Sequence, residues 1–283
     1  MKLSIVTINR NNAEGLRRTM ESVFTQTCKE FEYIVIDGGS TDGSVEVIKE
    51  YIKQLENFQW ISEPDTGIYN AMNKGLKTAN GEYTLMLNSG DFLVNEHVLE
   101  WIMPELDDAD IVQGNTIEEQ SGKLYRNKGY GRSNISMYDV MEGVFLHQAS
   151  FCKRELFDKY GFFDESYRIA ADTKFFINCI GFHDVSFKYV DIDVTNYDCH
   201  GISAATDGVW HKIHIEEYIR LRREMFSPML ESYLRINEPK VQWYDRLHQH
   251  AWLWNMVRLI SHIHDCIYGA PKYGVRKEET GKR

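Results

Sequence analysis

Cysteine is scarce and scattered: five in 283 residues, at 28, 152, 179, 199 and 266, odd in number and with no CxxC. That argues against a disulfide framework or a zinc knuckle and for reduced thiols in a cytoplasmic protein. Basic charge is in deficit, with 32 Lys and Arg against 42 Asp and Glu and a formal net charge of −10. The balance argues against nucleic acid as main partner, because phosphate backbones are met by basic faces. A small phosphorylated ligand held through a metal stays open. No apolar run reaches the ~18 residues of a membrane span. The opening MKLSIVTINRNN turns polar too soon for a secretory signal. A GxGxxG fingerprint is missing, which disfavours a dinucleotide site, and no internal repeat or low-complexity tract is seen.

What is there is globular composition, 43% hydrophobic and 26% charged, enough for a sizeable core. The first ninety or so residues alternate between two periodicities. Leu3–Ile8, Tyr33–Ile36, Phe58–Ile61 and Tyr83–Leu87 read as strands. Between them, Ala13–Thr25, Ser44–Ile52 (with Asp42 as cap) and Ile68–Thr78 (stopped by Asn80-Gly81) read as helices. This alternation predicts βαβ units and a parallel sheet, with ligands at the carboxyl ends of the strands. Further on, helices are expected over Glu96–Leu106, Glu155–Tyr160 and Ala171–Ile180, and strands over Ile111–Gly114, Lys123–Arg126 and Ser186–Val190. Residues 207–268 read mostly as helix, broken at Pro228 and Pro239.

Three polar clusters fall at predicted strand ends. Asp37-Gly-Gly-Ser-Thr-Asp42 puts a carboxylate where it can accept from a base imide N–H, with glycines that let backbone approach a ligand. Asp65-Thr-Gly67 opens a helix whose N-terminus can face an anion, with Asn70, Asn73, Lys74 and Lys77 along it. Asn88-Ser89-Gly90-Asp91 offers one carboxylate to a hard divalent cation. Each alone is also an ordinary turn or helix cap.

Together with Asn9-Arg10-Asn11, Ala71-Met-Asn73-Lys-Gly75 and Gly81-Glu-Tyr83, these blocks resemble the family 2 glycosyltransferases, in the family's order over roughly residues 1 to 205. The wording Glu63-Pro-Asp-Thr-Gly-Ile-Tyr-Asn-Ala-Met-Asn-Lys-Gly is most similar to the bacterial surface-polysaccharide branch, including colanic-acid-type enzymes. The resemblance implies an α/β GT-A fold: a Rossmann-like mixed central sheet flanked by helices. It divides residues 1–205 into a nucleotide-sugar-binding half (1–92) and an acceptor half (93–205), followed by a helical extension over 206–283.

The same resemblance assigns roles. Thr7 and Asp37 would hold the base, Asp65 would lie near base and ribose, and Asn9, Gly39, Asn73, Lys74 and Ser89 complete the nucleotide set. The family's acidic metal motif keeps only its last carboxylate, so Asp91 is the expected ligand for Mn²⁺ or Mg²⁺, joined by His200. His147 and Gln148 mark the acceptor region, and Asp172 is the expected catalytic base. The implied reaction is inverting transfer of a sugar from a nucleotide-diphosphate sugar, a UDP-sugar first, to a saccharide or lipid-linked saccharide hydroxyl in cell-surface polysaccharide synthesis. The alternative is a non-catalytic nucleotide-sugar-binding or assembly subunit with a degenerate metal motif.

Specificity is expected from the variable region around 115 to 150, where Arg126, Lys128 and Arg132 look locally basic. The stretch Leu247–Tyr268, rich in Trp, Ile and His, ends in a basic tail. Packing on the catalytic domain or in a homodimer is one reading. The other is peripheral contact of 247–283 with a polyprenyl-bearing membrane at its inner face.

Overall fold

The computed structural model describes residues 1–52, 56–120, 123–199, 201, 207–228, 230 and 232. Contacts divide the chain into Met1–Ser227 and Pro228–Arg283. The expected helix over 247–268, its basic tail and His200 lie outside the described residues.

The first part of the chain runs β1 (Leu3–Asn9), α1 (Ala13–Phe24), β2 (Phe31–Asp37), α2 (Ser44–Tyr51), β3 (Phe58–Ser62), α3 (Ile68–Thr78) and β4 (Tyr83–Met86). All four strands are parallel, in the order β3-β2-β1-β4. β1 and β2 are buried at every position, as strands covered on both faces must be. One face meets α1 through Leu16, Met20 and Val23, packed with Leu3, Ile5, Tyr33 and Val35. α3 packs against β1 and β2.

A buried carboxylate ties the end of this sheet opposite the strand C-termini. Glu32 accepts from Ser4 Oγ (2.6 Å), from Asn80 N (2.5 Å) and Gly81 N (3.1 Å), and from Gln59 Nε2 (3.3 Å). One side chain thus joins β1, β2, β3 and the turn into β4.

The sheet continues with β5 (Phe92–Leu93), β6 (Ile111–Gln120), β7 (Lys123–Asn127), β8 (Ser150–Lys153) and β9 (Phe187–Tyr197). Its order is β4-β8-β6-β9-β5, with β7 on β6. The β4–β8 and β6–β8 pairs are antiparallel and β6–β9 is parallel, so the sheet is mixed. Helices α4 (Val98–Ile102), α5 (Met137–Glu142), α6 (Glu155–Tyr160), α7 (Ala171–Phe176) and α8 (Gly208–Met225) complete the described elements. α8 lies beyond position 205 and makes its contacts within the first unit. Glu217 accepts from Arg168 N and Ile169 N, and Tyr167 OH donates to Glu224.

Several boundaries differ from expectation. The helix expected over Glu96–Leu106 is α4 followed by a 3₁₀ turn, Met103–Asp108, because Pro104 cannot donate into an α-helical ladder. The helix expected over Ala171–Ile180 passes into a π-helical turn at Ile177–Gly181. β6 and β9 are more than twice as long as expected, their outer parts being polar and bulged near Asn115. α5, with its Ser136–Asp139 capping box, had not been expected. Gly43, not Asp42, occupies the cap position of α2. Asp42 instead links two helix starts, accepting from Ser44 N (3.1 Å) and from Ala13 N (2.8 Å). Among the described residues no helix is long and apolar enough to cross a membrane.

Candidate active site

A cavity of about 550 Å³ opens where the parallel strands end. Its wall takes Asn9 and Arg10 from the end of β1, Asp65 and Gly67 from the loop into α3, and Asn88, Ser89 and Asp91 from the turn after β4. His147, just before β8, and Tyr197 and Asp198, at the end of β9, close it. This is the strand-end position where sheets of this kind bind ligands. A second cleft of about 490 Å³, reaching Glu165 and Arg168, shares Gly67, Ile68 and Trp210 with it.

Of the expected site residues, the fold brings Asn9, Asp65, Ser89, Asp91 and His147 onto this wall. The other described ones stand behind it or to one side. Thr7 is fully buried, donating to Leu87 O (2.7 Å) and accepting from Tyr33 OH (3.0 Å). Asp37 is fully buried and accepts from Asn9 Nδ2, Ser40 N, Ser40 Oγ and Ser62 Oγ at 2.6–3.0 Å. Burial pushes its carboxyl up, but the hydrogen bonds from Ser40, Ser62 and Asn9 outweigh this and hold it below the usual range. The expected base-holding pair therefore spends its polar atoms on the protein, where it fixes the strand ends.

The glycine pair after Asp37 makes room for protein too. A Cβ at Gly38 would sit 2.1 Å from Asp65 Oδ2, and one at Gly39 would meet Pro64. Close backbone approach here positions the Asp65 loop. Asn73 clamps a turn: its amide donates to Phe163 O and Glu165 and accepts from Phe163 N. Lys74 pairs with Glu63 (2.7 Å) and donates to Pro64 O. Gln148 is buried. The basic region is internally neutralised: Arg126 pairs with Asp191 and Asp193, Lys128 with Asp191, and Arg132 with Asp139.

Asp91 dominates the electrostatics of the wall. Its side chain is almost wholly buried, and burial above all pushes its carboxyl up to about 7. Oδ1 accepts from Asp198 N (2.8 Å), and the backbone is anchored by Thr19 Oγ1, which donates to Asp91 O (2.6 Å). Gly90 turns the chain at φ +110, and a Cβ there would lie 2.8 Å from Asp198 Oδ2. Among the described residues no three His, Cys, Asp or Glu side chains converge as a metal cage. Asp91 and Asp198 on the same wall are oxygen donors of the kind a hard divalent cation takes, and phosphate and water would have to supply most of its shell.

Asp172 is paired with His147 and is almost as exposed, 14% against 18%. His147 Nδ1 is 2.8 Å from Asp172 Oδ2. Asp172 Oδ1 accepts from Thr173 N (2.8 Å), and Tyr69 OH lies 3.0 Å from it. Burial works against both charges of the pair. The Asp172 carboxylate nevertheless raises the imidazole above its ordinary value, and His147 holds the carboxyl below its own. Burial, then the Asp172 charge, keeps Tyr69 protonated far above the ordinary tyrosine range. Reasoning from sequence missed Asn88, Asp198, Tyr69 and Glu217 as parts of this arrangement. Tyr69, His147 and Asp172 are far apart in the chain, and only the α3–β8–α7 packing joins them.

A mixed sheet with a four-stranded parallel half ending in an acidic cavity is the GT-A glycosyltransferase fold, and solved structures of that kind superpose on it. S. aureus TarS (residues 1–349) in complex with UDP-GlcNAc matches 75% of this chain and 64% of that one, with TM-score 0.62 and 18% identity. The mannosyltransferase PcManGT from Pyrobaculum calidifontis, in complex with GDP-Man and Mn²⁺, matches 95% and 88%, with TM-score 0.57 and 15% identity. Residues 4–168 match the profile of Glycosyl transferase family 2, and the chain belongs to that family. A PGL/p-HBAD biosynthesis glycosyltransferase of Mycobacterium bovis is 30% identical over 199 residues, 69% of this chain and 76% of the relative. An uncharacterized glycosyltransferase of Mycobacterium tuberculosis is 34% identical over 181 residues, 62% and 67%.

Proposed function

We propose that this glycosyltransferase moves a sugar from a UDP-sugar to a hydroxyl of a saccharide or lipid-linked saccharide in cell-surface polysaccharide synthesis, with inversion at the anomeric carbon. The observation that carries the reading is the pairing of a buried acidic turn, Asn88–Asp91, with the His147–Asp172 couple across one strand-end cavity. Such a cavity has a place for a diphosphate and a place for a hydroxyl that must lose its proton.

Asn9, Arg10 and Asp65 line the donor side, and Ser89 and Asp91 lie where the diphosphate would sit. Mn²⁺ or Mg²⁺ would be held by Asp91, with Asp198 beside it, and would supply Lewis-acid stabilisation of the departing diphosphate. Arg10, ion-paired with Asp65 at 3.6 Å, brings positive charge to the same wall. Asp172 supplies the basicity that lets the acceptor oxygen attack. The UDP-GlcNAc complex of TarS and the GDP-Man complex of PcManGT support a nucleotide-sugar donor, and the mycobacterial relative, a PGL/p-HBAD biosynthesis glycosyltransferase, supports sugar transfer.

A thermal-shift series with UDP, GDP, CDP and dTDP, with and without Mn²⁺, tests this reading. A ligand that binds only the folded protein raises its melting temperature, by about 2.7 kcal/mol of stability at a hundred times Kd. UDP with Mn²⁺ is expected to give the largest rise, lost in Asp91→Asn. No rise with any nucleotide would overturn the donor-site assignment.

A further inference from the structure

Gly67, Ile68 and Trp210 belong both to the strand-end cavity and to the second cleft, so the two spaces adjoin along one rim. Gly67 holds φ +150, a conformation that residues with side chains rarely adopt, and a Cβ there would meet no protein atom within 4 Å. The rim is bare at that point and faces open space. Trp210, in the first turn of α8, is 39% exposed. It lies beyond residues 4–168, which the family profile matches, so an element outside that profile brings the indole to the rim.

The second cleft sets polar side chains beside that aromatic face. Arg168 lines it, fixed at its backbone, where its N–H donates to Glu217 (2.7 Å). Among the described residues the Arg168 guanidinium and the Trp210 indole N–H have no partner. Glu165 lines it too. Asn70 Nδ2 and Asn73 Nδ2 donate to its two oxygens at 2.9 Å each, which holds the carboxylate in place and leaves each oxygen able to accept again. A pyranose has an apolar C–H face and an edge of hydroxyls that donate and accept. An indole suits the face, and a guanidinium beside a carboxylate suits the edge.

We propose that the second cleft holds the penultimate sugar of the acceptor, stacked on Trp210 with its hydroxyls read by Arg168 and Glu165, so that the acceptor is a saccharide of at least two units. The proposal rests on the sugar-transfer reading above. The reacting hydroxyl has to reach the strand-end cavity, where Asp91 marks the diphosphate end. That cavity then takes the terminal sugar, and the adjoining cleft takes the next one. At about 490 Å³ the cleft has the size of a pocket that encloses a small organic ligand, and an acceptor of one sugar would leave it unused. Contacts to a sugar remote from the reacting centre help to orient the one that reacts, so a shortened acceptor loses rate as well as affinity.

Saturation-transfer NMR on the full chain, with UDP and Mn²⁺ present, tests this. The probes are cellobiose, maltose, lactose, chitobiose and mannobiose, each beside its own monosaccharides. Wild type is expected to bind at least one disaccharide about tenfold more tightly than its single sugars, with saturation on both rings. Trp210→Ala is expected to lose about tenfold of that affinity, while Trp210→Phe, which keeps a flat face, retains most of it. Arg168→Gln is expected to weaken the disaccharide and leave the single sugars unchanged. The melting temperature and its rise with UDP and Mn²⁺ should match wild type in all three variants. The proposal is overturned if no disaccharide of the set binds wild type, if disaccharides and single sugars bind alike, or if Trp210→Ala binds as wild type does. Loss of the UDP rise in Trp210→Ala would put the indole on the nucleotide, which also overturns it. The sugar-transfer reading fails separately, when wild type shows no rise with any nucleoside diphosphate; a UDP rise without disaccharide binding sinks the acceptor proposal alone.

Discussion

Two buried aspartates at this site are held in opposite directions, and each direction has a consequence for stability. Asp91 is raised to about 7 by burial, against about 4 in an unfolded chain. The folded protein binds its proton more tightly, so the stabilising contribution is complete at low pH and is lost as pH rises through about 7. Asp91→Asn removes the buried charge while keeping an oxygen for Asp198 N. It should melt several degrees higher than wild type at pH 8, with little difference at about pH 3, in nucleotide- and metal-free calorimetry. Stability is thus given up where a ligand is to be met. Asp37 has the other sign: its hydrogen bonds hold it low, so its contribution is complete above the ordinary carboxylate range and is lost as pH falls through its own lowered value. Asp37→Ala leaves Ser40, Ser62 and Asn9 without their acceptor and should cost about 1–3 kcal/mol, measured by urea unfolding at neutral pH. The deficit should shrink as pH falls below the ordinary carboxylate range.

At the scale of elements, α7 is short and starts without a local cap, since Ala170 at its cap position has no side-chain oxygen. Glu217 of α8 instead fixes the segment that leads into it, taking the N–H groups of Arg168, Ile169 and Ala170 at 2.7–3.1 Å. Glu217→Ala should therefore lower both the melting temperature and the transfer rate, while Glu217→Gln recovers much of each. Equal activity of all three proteins would show that α7 holds Asp172 unaided. The sequence made the parallel half readable because β1 and β2 are mostly apolar, and Asp37-Gly-Gly and Asn80-Gly81 mark the ends of β2 and α3. β6 and β9 were harder, since Asn115, Thr116, Asp191, Asp193 and Thr195 carry no hydrophobic alternation and are held by pairing with each other across the sheet. The site was readable as far as single residues bear their own chemistry, as Asp91 and His147 do. Whether Asp37 faces a ligand or its neighbours, and which groups hold Asp172, depend on contacts between distant segments that no spacing encodes.

For the whole molecule, every described wall residue of the cavity precedes Ser227, and so does Glu217. A chain ended after Ser227 should keep the melting rise with UDP. Loss of that rise would place part of the nucleotide site in 228–283. The same truncation should abolish sedimentation with anionic vesicles if the aromatic stretch and basic tail of the full chain are its membrane contact. The carboxylate of Glu32 also bears on how the chain is made. Its partners, Ser4, Gln59, Asn80 and Gly81, all precede β4, so this knot can be tied while the ribosome is still translating the middle of the message. β4 is added next, yet its outer edge pairs with β8, whose residues Ser150–Lys153 emerge some seventy positions later. During that interval a nascent chain displays one edge of Tyr83–Met86 unpaired, and this is where a chaperone would be expected to bind.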